Sequence, residues 1–211
     1  MKERISLKKD YIEFALKLCN KISSEWKKDK LVIGITGESG SGKSVTGLGL
    51  KEAFKTKGLE VAYLQMDDYF HLPPLTNHQN RLKSFDNIGP HEVDLHELDR
   101  HITSFFNDQE TLGRECVFSE NQFLEKTISF KDKKILIVEG TYIGELEKLD
   151  VLVFINRDYK ETLKNRMERG REAFDPFIEK VLSIEHNIIK KYKSHADIVI
   201  DSNYNIEKKY A

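Results

Sequence analysis

Cysteine is scarce in this chain. The 211 residues hold two, Cys19 and Cys116, at no spacing that suits a metal site or a redox pair. Neither a disulfide framework nor a thiolate-bound metal is expected, and a reducing cytoplasmic setting is. Long apolar runs are missing too. None approaches the roughly 18 residues that a membrane span needs, so no membrane association is expected. Met1-Lys2-Glu3-Arg4 carries both signs of charge with no apolar run behind it, which argues against a signal peptide. An excess of one charge is also absent: 34 basic residues face 35 acidic ones, for a net −1, which removes the usual basis for nucleic acid as a partner. There are no repeats, low-complexity tracts or flexible linkers. With 39% hydrophobic and 33% charged residues, the chain reads as one globular α/β domain over 1–211.

What is present begins at residues 37–44. Gly37-Glu38-Ser39-Gly40-Ser41-Gly42-Lys43-Ser44 is a complete phosphate-binding loop, Gly-x-x-x-x-Gly-Lys-Ser. Glycines let the backbone curl so that its N–H groups converge on a phosphate chain. Lys43 would reach the β/γ-phosphates, and the Ser44 hydroxyl would ligate Mg²⁺. The flanks fit. Leu31-Val32-Ile33-Gly34-Ile35-Thr36 reads as a buried strand. Residues 45–57 read as a helix facing Leu48, Leu50, Ala53 and Phe54 inward, with Gly58 at its C-terminal cap. The nucleotide-binding set is thus Gly37, Glu38, Ser39, Gly40, Ser41, Gly42, Lys43, Ser44 and Val45.

Elsewhere, residues 6–28 predict a long amphipathic helix facing Ile12, Ala15, Cys19, Ile22 and Trp26 inward. Further strands are predicted at 61–66, 134–138, 151–155 and 198–200. Helices are predicted at 94–106, at 159–168, and after Asp175-Pro176, where an N-cap side chain precedes proline. The last of these should bury Phe177, Val181, Ile184, Ile188 and Tyr192. A small β insert is expected near 113–130. Pro73-Pro74 and Gly89-Pro90 keep residues 69–93 from being regular throughout. Apolar strands alternating with helices imply a parallel five-stranded sheet covered on both faces. Ligands of such sheets bind beyond the carboxyl ends of the strands, which singles out the phosphate loop, Asp67-Asp68, Glu139-Gly140 and Arg157-Asp158.

Phosphoryl transfer to a small molecule needs Mg²⁺ ligands, a base near the acceptor hydroxyl, cations for the developing charge, and an acceptor pocket. Asp67 is the expected base and a Mg²⁺-shell residue. Glu139 and Ser44 are the other metal candidates. Arg166, Arg169 and Arg171 sit where one helix ends before another begins, and are expected to form a lid around 166–175 that contributes to catalysis with Lys43. The stretch 69–93 is too long for a plain connector and is expected to line the acceptor pocket through Asp68, Tyr69, Arg81 and Asp86, with His71, His78 and His91 as weaker candidates.

These residues resemble the uridine kinase and phosphoribulokinase group of P-loop kinases. The matching pieces are Gly37 to Ser44, Gln65-Met66-Asp67-Asp68-Tyr69-Phe70, Ser84-Phe85-Asp86, Ile137-Val138-Glu139-Gly140 and Glu168-Arg169-Gly170-Arg171, in that family's order. The resemblance implies a three-layer, nucleoside-kinase-like P-loop NTPase fold. It also implies ATP with Mg²⁺, a nucleoside-like acceptor of uridine or cytidine type, and Asp86 on the acceptor's sugar hydroxyls. Where uridine kinases carry His-Pro-Asp-Ala-Phe-Asp, this chain has Asn87-Ile88-Gly89-Pro90-His91-Glu92-Val93-Asp94, and residues 113–130 replace their Pro-x-Tyr-Asp segment. A different hydroxyl acceptor, such as a sugar phosphate or a vitamin precursor, therefore stays open, as does a regulatory nucleotide switch. Homo-oligomerisation is equally open.

Overall fold

Alternation of apolar residues builds the sheet and assigns its faces. The computed structural model describes residues 9–169 and 175–207. Helix α1 (Lys9–Glu25) leads into β1 (Leu31–Gly37), α2 (Lys43–Thr56) and β2 (Val61–Gln65). A 3-10 turn (Met66–Tyr69) follows, then α3 (Pro74–Lys83) and α4 (Leu95–Phe106). The hairpin β3 (Glu110–Val117) and β4 (Gln122–Ser129) precedes β5 (Ile135–Glu139) and β6 (Val151–Ile155). Helices α5 (Leu163–Arg169) and α6 (Pro176–Ile189) and strands β7 (Ile198–Ile200) and β8 (Ile206–Glu207) complete the described chain.

The sheet order is β2-β5-β1-β6-β7-β8. Five strands run parallel, as expected, and β8 adds a sixth, two-residue antiparallel strand at the edge. Ile33, Ile35, Ile135, Ile137, Val153 and Ile155 face α1 and α2 on one side. Val32, Leu136, Val138, Leu152 and Phe154 face the other side, with Leu98, Ile102 and Phe105 of α4 and Ile189 of α6. Each of these buried apolar side chains contributes about 1.5–3 kcal/mol of apolar burial.

Several helix faces are rotated from the expected ones. In α1 the buried stripe is Phe14, Ala15, Leu18, Cys19 and Ile22, and Ile12 is exposed. In α2 it includes Thr46, Gly47, Gly49, Leu50, Ala53 and Phe54, while Leu48 is only half-buried. In α6 it is Val181, Leu182, Glu185 and Ile189, which puts an acid on the apolar face. The stretch 69–93 is more regular than its prolines suggested. Pro74 occupies the first turn of α3, where its missing N–H would have had no intrahelical partner.

Candidate functional site

Strand register brings the chemistry to one end of the sheet. Glu139, the last residue of β5, lies between Ile35 of β1 and Gln65 of β2. The phosphate loop leaves β1 two residues beyond Ile35, and Asp67 follows β2 by the same interval. Three adjacent parallel strands thus deliver the loop, Glu139 and Asp67 to the same edge.

The loop's geometry depends on glycine. Gly40 and Gly42 have φ of 74° and 105°, in the left-handed region that side chains disfavour. Gly42 is the N-cap of α2, so that helix begins at Lys43 with its N-terminus turned to the loop. Lys43 Nζ donates to the Glu38 carbonyl at 3.0 Å. Ser44 Oγ donates to Glu139 Oε1 at 2.8 Å, and Gln65 Nε2 donates to the same oxygen at 3.2 Å. Glu139 is 5% exposed. Burial pushes its carboxyl upward, Lys43 pulls it back, and the Asp67 charge raises it further, which places all three groups in one electrostatic site.

Around this centre the loop is braced. Glu38 is buried, and its carboxylate accepts from His186 Nδ1 at 2.6 Å and from Tyr159 N at 2.7 Å. Thr162 Oγ1 donates to the Ser39 carbonyl at 2.8 Å. Tyr204 Oη donates to the Ser41 carbonyl at 3.3 Å. Val45 is half-buried in the first turn of α2. Asp158 caps its own turn through the N–H groups of Lys160 and Glu161. A cavity of ≈ 440 Å³ opens beside Glu38, Arg157 and His186.

Other sequence-predicted residues have different surroundings. Asp68 holds the hairpin: Oδ1 accepts from Cys116 N and Oδ2 from Lys126 Nζ, both at 2.8 Å. Arg114 completes that junction by donating to the Asp68 and Phe70 carbonyls. Tyr69 is buried, with its hydroxyl 2.6 Å from His101 Nδ1. These contacts fasten the turn after β2, and they are the present partners of the two residues expected to meet the acceptor, Asp68 and Tyr69. Asp86 is exposed and bonded to Ser84. Arg81 makes a two-point ion pair with Glu92 and reaches Glu185. His71 and His91 line a cavity of ≈ 130 Å³ with Leu72, Asn77, Asn80, Asn87 and Glu92. His78 packs edge-on against Phe177.

Arg166 is buried, its guanidinium donating to the Tyr159 carbonyl and to Glu179 Oε1 at 2.9 Å, with its stem packed against Gly40. Arg166, expected in the lid, thus lies buried against the phosphate loop. Arg169 ends α5, and Arg171 with the rest of residues 170–174 of the expected lid lies outside the described residues. Sequence reasoning missed Glu185, His186 and Arg114. The signal for Glu185 was its place on the apolar stripe of α6, where an acid has no packing reason to be.

Ser44, Asp67 and Glu139 offer hard oxygen donors, which suit Mg²⁺. The 2.8 Å contact puts the Ser44 hydroxyl and the Glu139 carboxylate within reach of a common cation. No group of three His, Cys, Asp or Glu among the described residues could hold a metal. Mg²⁺ needs none, because it binds one or two protein groups plus phosphates and water. No helix among the described residues is long and apolar enough to cross a membrane.

A family model described as phosphoribulokinase / uridine kinase matches residues 32–205. A uridine kinase from Macrococcus caseolyticus is 31% identical over 183 residues, covering 80% of this chain and 86% of its own length. The bifunctional alpha-galactosidase/sucrose kinase AgaSK of Mediterraneibacter gnavus is 27% identical over 188 residues; the match covers 82% of this chain but 20% of that protein. A solved structure described as a possible uridine kinase from Bacillus stearothermophilus superposes with a TM-score of 0.66 at 18% identity, covering 90% of this chain and 97% of that one. This last likeness concerns the fold.

Proposed function

The chain belongs to the phosphoribulokinase and uridine kinase family, a group of phosphotransferases acting on an alcohol group, and on that premise we propose how it transfers phosphate. The γ-phosphate of ATP passes to a hydroxyl of a small nucleoside-like acceptor, of uridine or cytidine type. The contact between Ser44 and Glu139, with the Asp67 charge beside them, carries the reading. A switch protein needs no base on the acceptor side of its phosphates, whereas a kinase does.

In this reading the N–H groups of Gly37 to Val45 cradle the phosphates, and Lys43 offsets charge on the β/γ oxygens. Asp67 accepts the proton of the attacking hydroxyl. Ser44, Glu139 and Asp67 hold Mg²⁺, which neutralises phosphate charge when bound. Arg166, Arg169 and Arg171 stay candidates for offsetting charge on the transferring phosphate. Asp86, exposed on the segment before α4, stays a candidate for the acceptor's hydroxyls.

A second acceptor class, an unphosphorylated sugar, is favoured by one observation. The ≈ 130 Å³ cavity between residues 71 and 92 is lined by amides, imidazoles, a leucine and a carboxylate, with no Phe, Tyr or Trp ring to stack on a base. The sucrose kinase relative supports the same class. The test is ADP release from Mg·ATP against nucleosides, sugars, sugar phosphates and vitamin precursors. Acceptor-dependent release with uridine or cytidine is the expected result. Release with a sugar alone would favour the second class. Slow hydrolysis of GTP with no acceptor effect would sink the kinase reading.

A further inference from the structure

Glu185 stands out because nothing about packing requires it. It lies on the buried stripe of α6 between Leu182 and Ile189, with its side chain 10% exposed. Its neighbour His186 grips the phosphate loop through Glu38. On the other side Tyr142, three residues beyond Glu139, points its hydroxyl at Glu185 Oε1, 3.4 Å away. Glu185 therefore sits over the carboxyl end of the sheet, between the phosphate loop and the 69–93 segment.

Its bonding is incomplete. Arg81 serves two carboxylates with one charge. Glu92 takes most of it: Oε1 accepts from Arg81 Nε at 2.6 Å and from Asn77 Nδ2, and Oε2 accepts from Arg81 and from Gly89 N. Glu185 receives Arg81 at 3.0 Å and Tyr142, both on Oε1. No described residue donates to Oε2. A carboxylate offers about four acceptor positions, so Glu185, whose side chain keeps 10% exposure, has acceptor capacity left on Oε2 for a donor from outside the protein.

We propose that Glu185 selects the acceptor: its Oε2 takes a hydrogen bond from a hydroxyl of an uncharged polyhydroxyl acceptor, and its charge turns away acceptors that already carry a phosphate. Arg81 and Glu92 are positioning residues that hold it there. The inference rests on the kinase reading and narrows it. Of the acceptors open on sequence grounds, nucleosides and free sugars fit and sugar phosphates do not. Arg81, the cation beside Glu185, is already matched by two acids. Burial, with the Glu92 charge, raises the Glu185 carboxyl above its ordinary value, and Arg81 and Lys43 offset part of that rise.

The experiment compares acceptor pairs with the full chain: uridine against 3′-UMP, D-ribose against D-ribose 5-phosphate, and D-fructose against D-fructose 6-phosphate. The expected result is ADP release with a neutral member and little with its phosphorylated counterpart. Glu185→Gln should raise the acceptor KM about tenfold or more, with the ATP KM and kcat nearly unchanged, as loss of one charge-assisted hydrogen bond implies. Equal or better use of a phosphorylated member would overturn the proposal without the variant having to fold. So would an unchanged acceptor KM in a folded Glu185→Gln protein. Glu185→Asp, which keeps the charge, should retain the discrimination against phosphate; losing it while staying folded would also count against Glu185. If no acceptor in the panel releases ADP, the kinase reading itself fails and the assignment of Glu185 falls with it.

Discussion

Glu38 Oε1 and His186 Nδ1 lie 2.6 Å apart, which ties the phosphate loop directly to α6. The same carboxylate receives the Tyr159 N–H at the exit of β6. Burial raises the Glu38 carboxyl, and the imidazole is the main influence that lowers it. The loop is thus held from outside by a residue 148 positions away.

His186→Ala should therefore destabilise the fold. It removes the side-chain donor to a buried carboxylate, a loss of about 1–3 kcal/mol. Urea denaturation reads this directly, and His186→Gln, which keeps a donor, should recover part of it. Equal midpoints for His186→Ala and the unmodified chain would show that the contact adds nothing.

Much of the frame was legible in the sequence, for reasons visible residue by residue. The phosphate-loop motif is local: its defining glycines, lysine and serine all lie between Gly37 and Ser44, so its spacing was legible even though its braces were not. The five buried strands are apolar runs bounded by turns, Asp175 caps its helix as expected, and the helix expected from Asp94 begins at Leu95 with Asp94 as its cap. Long-range polar partners were not legible. Asp68 looked like an acceptor ligand because its donors, Cys116 and Lys126, lie about fifty residues on in a hairpin whose docking no periodicity encodes. The contact of Arg81 with Glu185 was hidden for the same reason, since Glu185 follows 104 residues later. The helix faces shifted by one or two positions because α1 and α2 pack on each other as well as on the sheet.

Lys43→Ala should abolish turnover, since no other loop side chain carries positive charge. Asp67→Asn should lower kcat by about 10²–10⁴, in the range of general-base catalysis, with the affinity for ATP nearly unchanged. Steady-state kinetics with separate nucleotide titration distinguish the two effects. Equal losses in kcat and ATP affinity would move Asp67 from base to metal holder.

Ser44→Ala and Glu139→Gln should each raise the Mg²⁺ concentration that gives half-maximal activity, by about tenfold or more. The two share one hydrogen bond, so their effects should fall short of additive in the double variant. Activity measured against total Mg²⁺ at fixed ATP checks this. Full additivity would place the two groups on independent tasks.

Asp68→Asn separates a role in holding the hairpin from the expected role at the acceptor. It weakens the pair with Lys126, which is 30% exposed, and leaves one amide oxygen for Cys116 N. The expected outcome is a lower melting temperature with the acceptor KM unchanged. A raised acceptor KM at unchanged melting temperature would return Asp68 to the acceptor pocket.

His101 should give the fold a measurable pH dependence. It is 2% exposed, with Nδ1 facing the Tyr69 hydroxyl and Nε2 facing the Leu112 carbonyl and Glu97. That pattern suits a neutral ring protonated at Nε2. Burial lowers its pKa below the ordinary value of 6.5, more than the Leu112 contact raises it. Below about pH 6.5 the unfolded chain therefore binds a proton that the folded chain resists. Stability from this residue is complete above that pH and is lost as the pH falls toward the depressed folded value. Unfolding midpoints between pH 7.5 and 5.5 should decline less steeply in His101→Gln than in the unmodified chain. Parallel declines would mean that the proton is taken up elsewhere. The cost falls on the contact between α4, the turn after Asp67 and the hairpin, so acid should loosen the acceptor side of the site before the phosphate loop.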